Sequence, residues 1–142
     1  MPATGLEALF GRRALLFALA PIGLAADESG DRTAITEMFG AVAASLSEDN
    51  PTAAMKWFES SMPRLERLRT TLFALVEKFE VSSAISILSI EKEVVVLDWF
   101  LELKSRNSSA PVERRRANIQ CSVGKKGKTW RIKSVEPIEF FE

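Results

Sequence analysis

The feature that most limits the fold of this chain is a change of period at Phe79. Upstream of it, apolar residues recur every three or four positions; downstream they recur every second position. Ile35, Met38, Phe39, Val42 and Leu46 form one stripe, as expected for a helix of about 3.6 residues per turn. Leu65, Leu68, Leu72, Leu75, Val76 and Phe79 form a second. Arg64, Arg67, Arg69, Glu77 and Lys78 fall mostly off that stripe, on the side expected to face solvent. Asp31 can cap the first helix, which is expected to begin near Arg32. Asn50-Pro51 pairs an N-cap residue with proline at the first helical position, which predicts a short helix through Trp57 and Phe58. Ser60-Ser61-Met62-Pro63 predicts the start of a third helix by the same logic.

Beyond Phe79 the chain reads as strands. Val81 to Ile90 is rich in β-branched residues, and Glu91-Lys92-Glu93 is a tight turn. In Val94 to Leu103, the residues Val95, Leu97, Trp99, Leu101 and Leu103 share one face. Asn107 to Pro111 reads as a loop. Arg115, Ala117, Ile119, Cys121 and Val123 then alternate with polar residues, the pattern of a half-buried antiparallel strand. Lys125-Lys126-Gly127-Lys128 is a hairpin turn, and Trp130 and Ile132 open a last strand running towards Phe140 and Phe141. Helices followed by a run of strands predict an α+β domain with three N-terminal helices packed on a curved antiparallel sheet.

What the chain lacks excludes much chemistry. It contains no histidine, no tyrosine and one cysteine, Cys121. Serine or cysteine triads that use imidazole cannot be built from it, and a zinc site would need carboxylates almost alone. We expect no metal and no cofactor. Cys121 cannot form an internal disulfide and reads as a small buried hydrophobe.

The first residues read as an export signal. Gly11-Arg12-Arg13 precedes an uncharged apolar run from Ala14 to Ala25, and Asp27, Glu28 and Asp31 follow. A basic end, a short apolar run and small residues before a polar stretch describe a cleaved secretory signal, residues 1–25, with cleavage after Ala25 or Ala26. The alternatives are an uncleaved anchor, although the apolar run is short for a span of about 20 residues, and an internal amphipathic helix. The mature domain, 26–142, is therefore expected in the periplasm or outside the cell, with no stable membrane span.

The order of elements from Asp31 to Phe141 resembles the NTF2-like superfamily, which includes the SnoaL-like and ketosteroid isomerase-like proteins. The resemblance rests on the helix Ala34-Ile-Thr-Glu-Met-Phe39 with the Asn50-Pro51 helix after it, on the strand Val94 to Leu103, and on the closing Gly124-Lys-Lys-Gly-Lys-Thr-Trp-Arg-Ile132 hairpin. It implies a cone with an apolar pocket and often a dimer through the sheet. Isomerase-type relatives need a tyrosine donor, and dehydratase- and cyclase-like relatives use histidine with aspartate. This chain offers neither tyrosine nor histidine.

Four groups of residues remain as site candidates. Asp98 is the one acid in the middle of its strand and could serve as a general base if burial raised its pKa, with Trp130 or Ser86 as a donor; otherwise it is an outer-face carboxylate beside arginines of the next strand. Trp57, Phe58, Trp99 and Trp130 could line a pocket for a small apolar ligand, or simply pack a core. Val94, Val96 and Phe100 share the outer face with Asp98 and suggest a homodimer through the sheet. Arg114, Arg116, Lys125 and Lys126 could bind a polyanion; otherwise they form a solvated sheet face paired with Asp98, Glu102 or Glu113. They belong to a basic stretch from Lys104 to Lys133 that contains Glu113 as its one acid. No aromatic residues interleave with them as single-strand binding would favour, so nucleic acid is not expected. The leading expectation is a non-enzymatic module that binds an apolar ligand or a protein partner. A carboxylate-dependent enzyme using Asp98 and a polyanion-binding module are the alternatives.

Overall fold

A computed structural model describes residues 22–142. The predicted leader lies outside these residues, except for Ile22 to Ala25, which are helical. The chain divides into two units between Thr33 and Ala34, and the sheet and the residues that support it lie in the second, Ala34–Glu142.

Helix α1 spans Ile22–Ser47. It is already running at Asp31, so the predicted start near Arg32 and the cap at Asp31 are both corrected. Ala25 and Ala26 favour helix. Gly30 weakens it by only about 1 kcal/mol relative to alanine, which does not stop a helix supported by its neighbours. The predicted stripe is the buried one, with Ile35, Met38, Phe39, Val42 and Leu46 all in the core. No helix among the described residues is long and apolar enough to cross a membrane.

Helix α2 spans Pro51–Met55 and is capped as the sequence predicts, with Asn50 Oδ1 accepting from the Ala53 N–H at 3.1 Å. It ends at Met55, short of Trp57 and Phe58. Those residues instead run alongside the sheet. Helix α3 spans Leu65–Lys78 and buries Leu68, Leu72, Leu75 and Val76. It starts two residues later than Pro63 would place it, because Arg64 adopts a left-handed conformation (φ 61°) and makes no side-chain cap. Phe79 leaves the helix and begins the first strand.

Four strands follow: β1 Phe79–Glu91, β2 Val94–Ser105, β3 Glu113–Lys126 and β4 Thr129–Glu136. They form one open antiparallel sheet in the order β1-β2-β3-β4. Glu91 pairs with Val94 across the predicted Lys92-Glu93 turn, where Lys92 has φ 58°. Lys126 pairs with Thr129, and Gly127 takes φ 65°, the conformation that favours glycine in such a turn. A bulge sits between Ile87 and Ser89 of β1, leaving Leu88 exposed, and another lies at Ser122/Val123 opposite β4. A short 3-10 helix, Ile138–Phe141, closes the chain.

The inner face of the sheet carries the core. Val95, Leu97, Trp99, Leu101 and Leu103 of β2 are all 0–1% exposed, and Ile119, Cys121 and Val123 of β3 lie beside them. Both free edges are engaged. Along β4, the Glu59 N–H donates to Ile132 O and the Ile132 N–H donates to Trp57 O, each at 2.8 Å. Along β1, the Ser83 N–H donates to Ser47 Oγ at 2.9 Å. Covering a sheet edge in this way removes a template for unwanted strand addition.

Candidate functional site

Trp99 is the central side chain of the inner face. Its indole N–H donates to Ser83 Oγ at 2.9 Å, which satisfies its one polar atom. The ring of Phe141 meets it edge-on, with centroids 4.9 Å apart and planes at 80°, a favoured aromatic arrangement. Phe141 arrives there because the C-terminal turn is fastened from two sides. Arg67 grips Glu142 through Nε at 2.6 Å and Nη2 at 2.8 Å, and reaches Glu139 at 3.4 Å. Arg115 donates from Nη1 to Phe140 O at 3.1 Å and from Nε to Glu113 at 2.6 Å. Its position off the apolar stripe puts Arg67 on the expected solvent face, and nothing in the sequence marks its link to a residue so distant in the chain.

The other proposed pocket residues spread out. Phe58 is buried, while Trp57 and Trp130 are half-buried. Trp130 lies on the same face as Ile132, near the hairpin, with Lys125 Nζ 5.9 Å from its ring centroid. Its indole nitrogen is buried and has no hydrogen-bond partner among the described residues. Two cavities stand out among the described residues. One, of about 250 Å³, lies where α3 meets the C-terminal turn and Arg115. The other, of about 670 Å³, is an open groove beside Phe73 and Pro51. Trp57, Phe58, Trp99 and Trp130 line neither one.

Asp98 sits on the outer face, half-buried, in a forked ion pair with Arg116: Nη2 to Oδ2 at 2.6 Å and Nε to Oδ1 at 3.0 Å. The hydrogen bond from Arg116 pulls its pKa below the ordinary aspartate value, against an opposing push from partial burial. A general base needs a raised pKa and a cavity in front of it. Asp98 has an arginine there instead, which corrects its reading as a base. Of its two suggested donors, Ser86 is its cross-strand neighbour on the outer face, and Trp130 is on the opposite face.

Because the folded-state pKa is depressed, the pair stabilises the fold at and above the ordinary aspartate value. That contribution is lost as pH falls through the lowered midpoint. Arg116→Met should raise the Asp98 midpoint to or above the ordinary value, since burial then acts unopposed. Carboxyl-carbon NMR titration measures this, and an unchanged midpoint would contradict the pairing.

The basic residues do not gather into one patch. Arg114 pairs with Glu102 at 3.0 Å and Arg116 with Asp98, so both are matched with acids of β2. Lys125 and Lys126 lie at the far end of β3, roughly 30 Å from Arg116 at about 3.3 Å per residue. Lys126 is 3.7 Å from Glu59. The polyanion set predicted from sequence is therefore split, with its arginine half neutralised.

Cys121 is buried, and desolvation pushes its thiol up to about 12. The thiolate is the reactive form. At pH 8 the folded protein should therefore react with a disulfide reagent at least ~100-fold more slowly than the denatured chain. Absorbance of the released chromophore measures both rates, and similar rates would contradict the burial. No group of three or more metal-ligating side chains occurs among the described residues.

No family model matches the chain, and no curated protein matches it. Solved structures do. A candidate scytalone dehydratase from Novosphingobium aromaticivorans superposes with a TM-score of 0.66 at 15% identity, over 78% of this chain and 85% of that one. A single-residue variant of Rv3472, a function-unknown protein from Mycobacterium tuberculosis, gives 0.65 at 12% identity, over 80% and 74%. The Kfla4162 protein of Kribbella flavida gives 0.60 at 15% identity, over 81% and 99%. The fold is NTF2-like. An NTF2-like fold accounts for the helices on one side of the sheet, and it does not of itself assign a reaction. In this NTF2-like domain the inner face is occupied by Trp99, Phe141 and their neighbours, while the outer face has no covering element of its own among the described residues.

Proposed function

We propose that this chain is a non-enzymatic interaction module that works through the outer face of its sheet, with a second copy of itself as the first partner. The observation carrying this reading is the outer face. Val94 is 40% exposed, and Val96 and Phe100 are half-buried in the middle of a strand whose other face is wholly in the core. Around them stand Asn118 and Gln120, and the charges nearby are already matched as Asp98–Arg116 and Glu102–Arg114. A face that is apolar at its centre and neutral around it suits a copy of itself related by a two-fold axis, where each patch meets its equivalent. Formal net charge of zero adds no general repulsion between copies.

The absence of histidine and tyrosine, together with the pairing of Asp98, supports a non-enzymatic role. The basic and then apolar leader supports export of the module to the cell envelope. The test is the accessibility of the outer-face methyl groups to a soluble paramagnetic probe. In the assembled protein, the Val94 and Val96 methyls should relax as slowly as those of the core residue Val95. Val112, which is 37% exposed, serves as the open reference. Val94 and Val96 relaxing like Val112 at all concentrations would overturn the reading.

A further inference from the structure

We propose that the cavity between α3 and the C-terminal turn is a binding site for a small organic monocarboxylate, with Arg115 and Lys78 holding its head and Leu75, Phe79 and Phe141 its apolar body. The site lies away from the outer sheet face, so the proposal stands whether or not the chain self-associates.

The cavity exists because of a local choice of side chains. While Leu68, Leu72, Leu75 and Val76 fill the core, the neighbouring positions towards the C-terminal turn are short. Thr70, Thr71 and Ala74 line the cavity, where long side chains on the same turns would close it. Its volume of about 250 Å³ is just under the range of drug-sized sites, so its ligand is small.

The charges on its wall are placed for an acid. Arg115 is only 21% exposed and is locked by two contacts, Nε to Glu113 and Nη1 to the Phe140 carbonyl. Nη2 takes no partner among the described residues. That leaves one side of a rigid, partly desolvated fork open to an acceptor, the geometry in which a charged hydrogen bond counts most. Lys78 is the second cation on the wall and makes no ion pair among the described residues. The one acid on the wall, Glu142, is engaged elsewhere: Arg67 holds both its oxygens.

With Arg115 Nε held by Glu113 and both Glu142 oxygens held by Arg67, Arg115 Nη2 and the Lys78 ammonium are the donors left on the wall, a pair that matches the two oxygens of one carboxylate. The apolar groups alongside favour a carboxylate attached to a ring or short hydrocarbon over an inorganic anion.

Sodium benzoate is the probe, with benzamide as its uncharged counterpart of the same shape, followed by amide and guanidinium NMR shifts in the folded protein. Benzoate should shift Thr70, Ala74, Arg115 Nε and Phe141 together and saturate in the millimolar range, with benzamide at least ~10-fold weaker. Lys78→Met should weaken benzoate by about tenfold, and Thr70→Leu, which fills the cavity and removes no charge, should abolish it. Arg115→Met should do the same but also frees the C-terminal turn, so the other two variants carry the decision. Equal affinity for benzoate and benzamide, shifts centred on the Phe73 groove, or unchanged binding in both Lys78→Met and Thr70→Leu would each overturn the proposal.

Discussion

Trp99→Ala should destabilise the domain by about 3–5 kcal/mol, the range for removing a large aromatic from a packed core. Trp99 is 1% exposed, carries the edge-on contact with Phe141 and spends its indole N–H on Ser83. Its loss opens a cavity in the middle of the central pair of strands and leaves the Ser83 hydroxyl without its donor. Phe141→Ala should cost a similar amount. The two changes should be non-additive by roughly 0.5–1.5 kcal/mol, because each removes the same aromatic contact. Urea unfolding of the two single variants and the double variant measures this directly. A loss below about 1 kcal/mol for Trp99→Ala would mean that the inner face is not packed as described.

Phe100→Asp should separate the assembled chains while leaving each one folded. Phe100 sits at the centre of the outer face, opposite Arg116 in register, whose guanidinium is already held by Asp98, so a carboxylate there stays solvated in the monomer. In an assembly it would place two new acids near the symmetry axis, in a patch that has to lose its water. We expect the dissociation constant to rise at least ~100-fold with little change in the unfolding midpoint, as for a truncated or charged interface anchor. An unchanged dissociation constant would move the interface elsewhere. Loss of folding in the dilute monomer would show that Phe100 belongs to the core.

These two residues are neighbours in the same strand and face opposite ways, which shows how much of the structure was legible. In β2 the side chains alternate without interruption, so parity alone sorted Trp99 inward and Phe100 outward. The strand has neighbours on both sides and no bulge relative to β3, and nothing disturbs the period. In β1 and β4 the bulges do disturb it. They arise from cross-strand geometry, and no glycine or proline marks Leu88. The Asn50 cap was legible because it is a local bond between a side chain and the turn it begins. The late start of α3 was not, since the left-handed Arg64 has no local signature; nor was the early start of α1, where good helix formers outweigh a glycine.

The sites divide the same way. The split of the basic residues followed from strand length, since Lys126 shares the parity of Arg114 and Arg116 and is parted from them by the run of β3. The pairing of Asp98 with Arg116 follows from adjacent strands, and the sequence could place both on one outer face. The cavity beside Phe141 depends on Arg67, Arg115 and the C-terminal turn meeting α3. No period in the sequence encodes that meeting, because each partner is an ordinary exposed residue in its own segment.

The inner face is filled by this chain's own side chains, and the proposed function has a second copy complete the outer face. Sedimentation equilibrium of the chain across the micromolar range addresses it most directly. We predict a concentration-dependent shift from one to two times the monomer mass of 15.8 kDa, or of the shorter mature chain if the leader is removed. A species that remains monomeric to the highest concentration reached would contradict it.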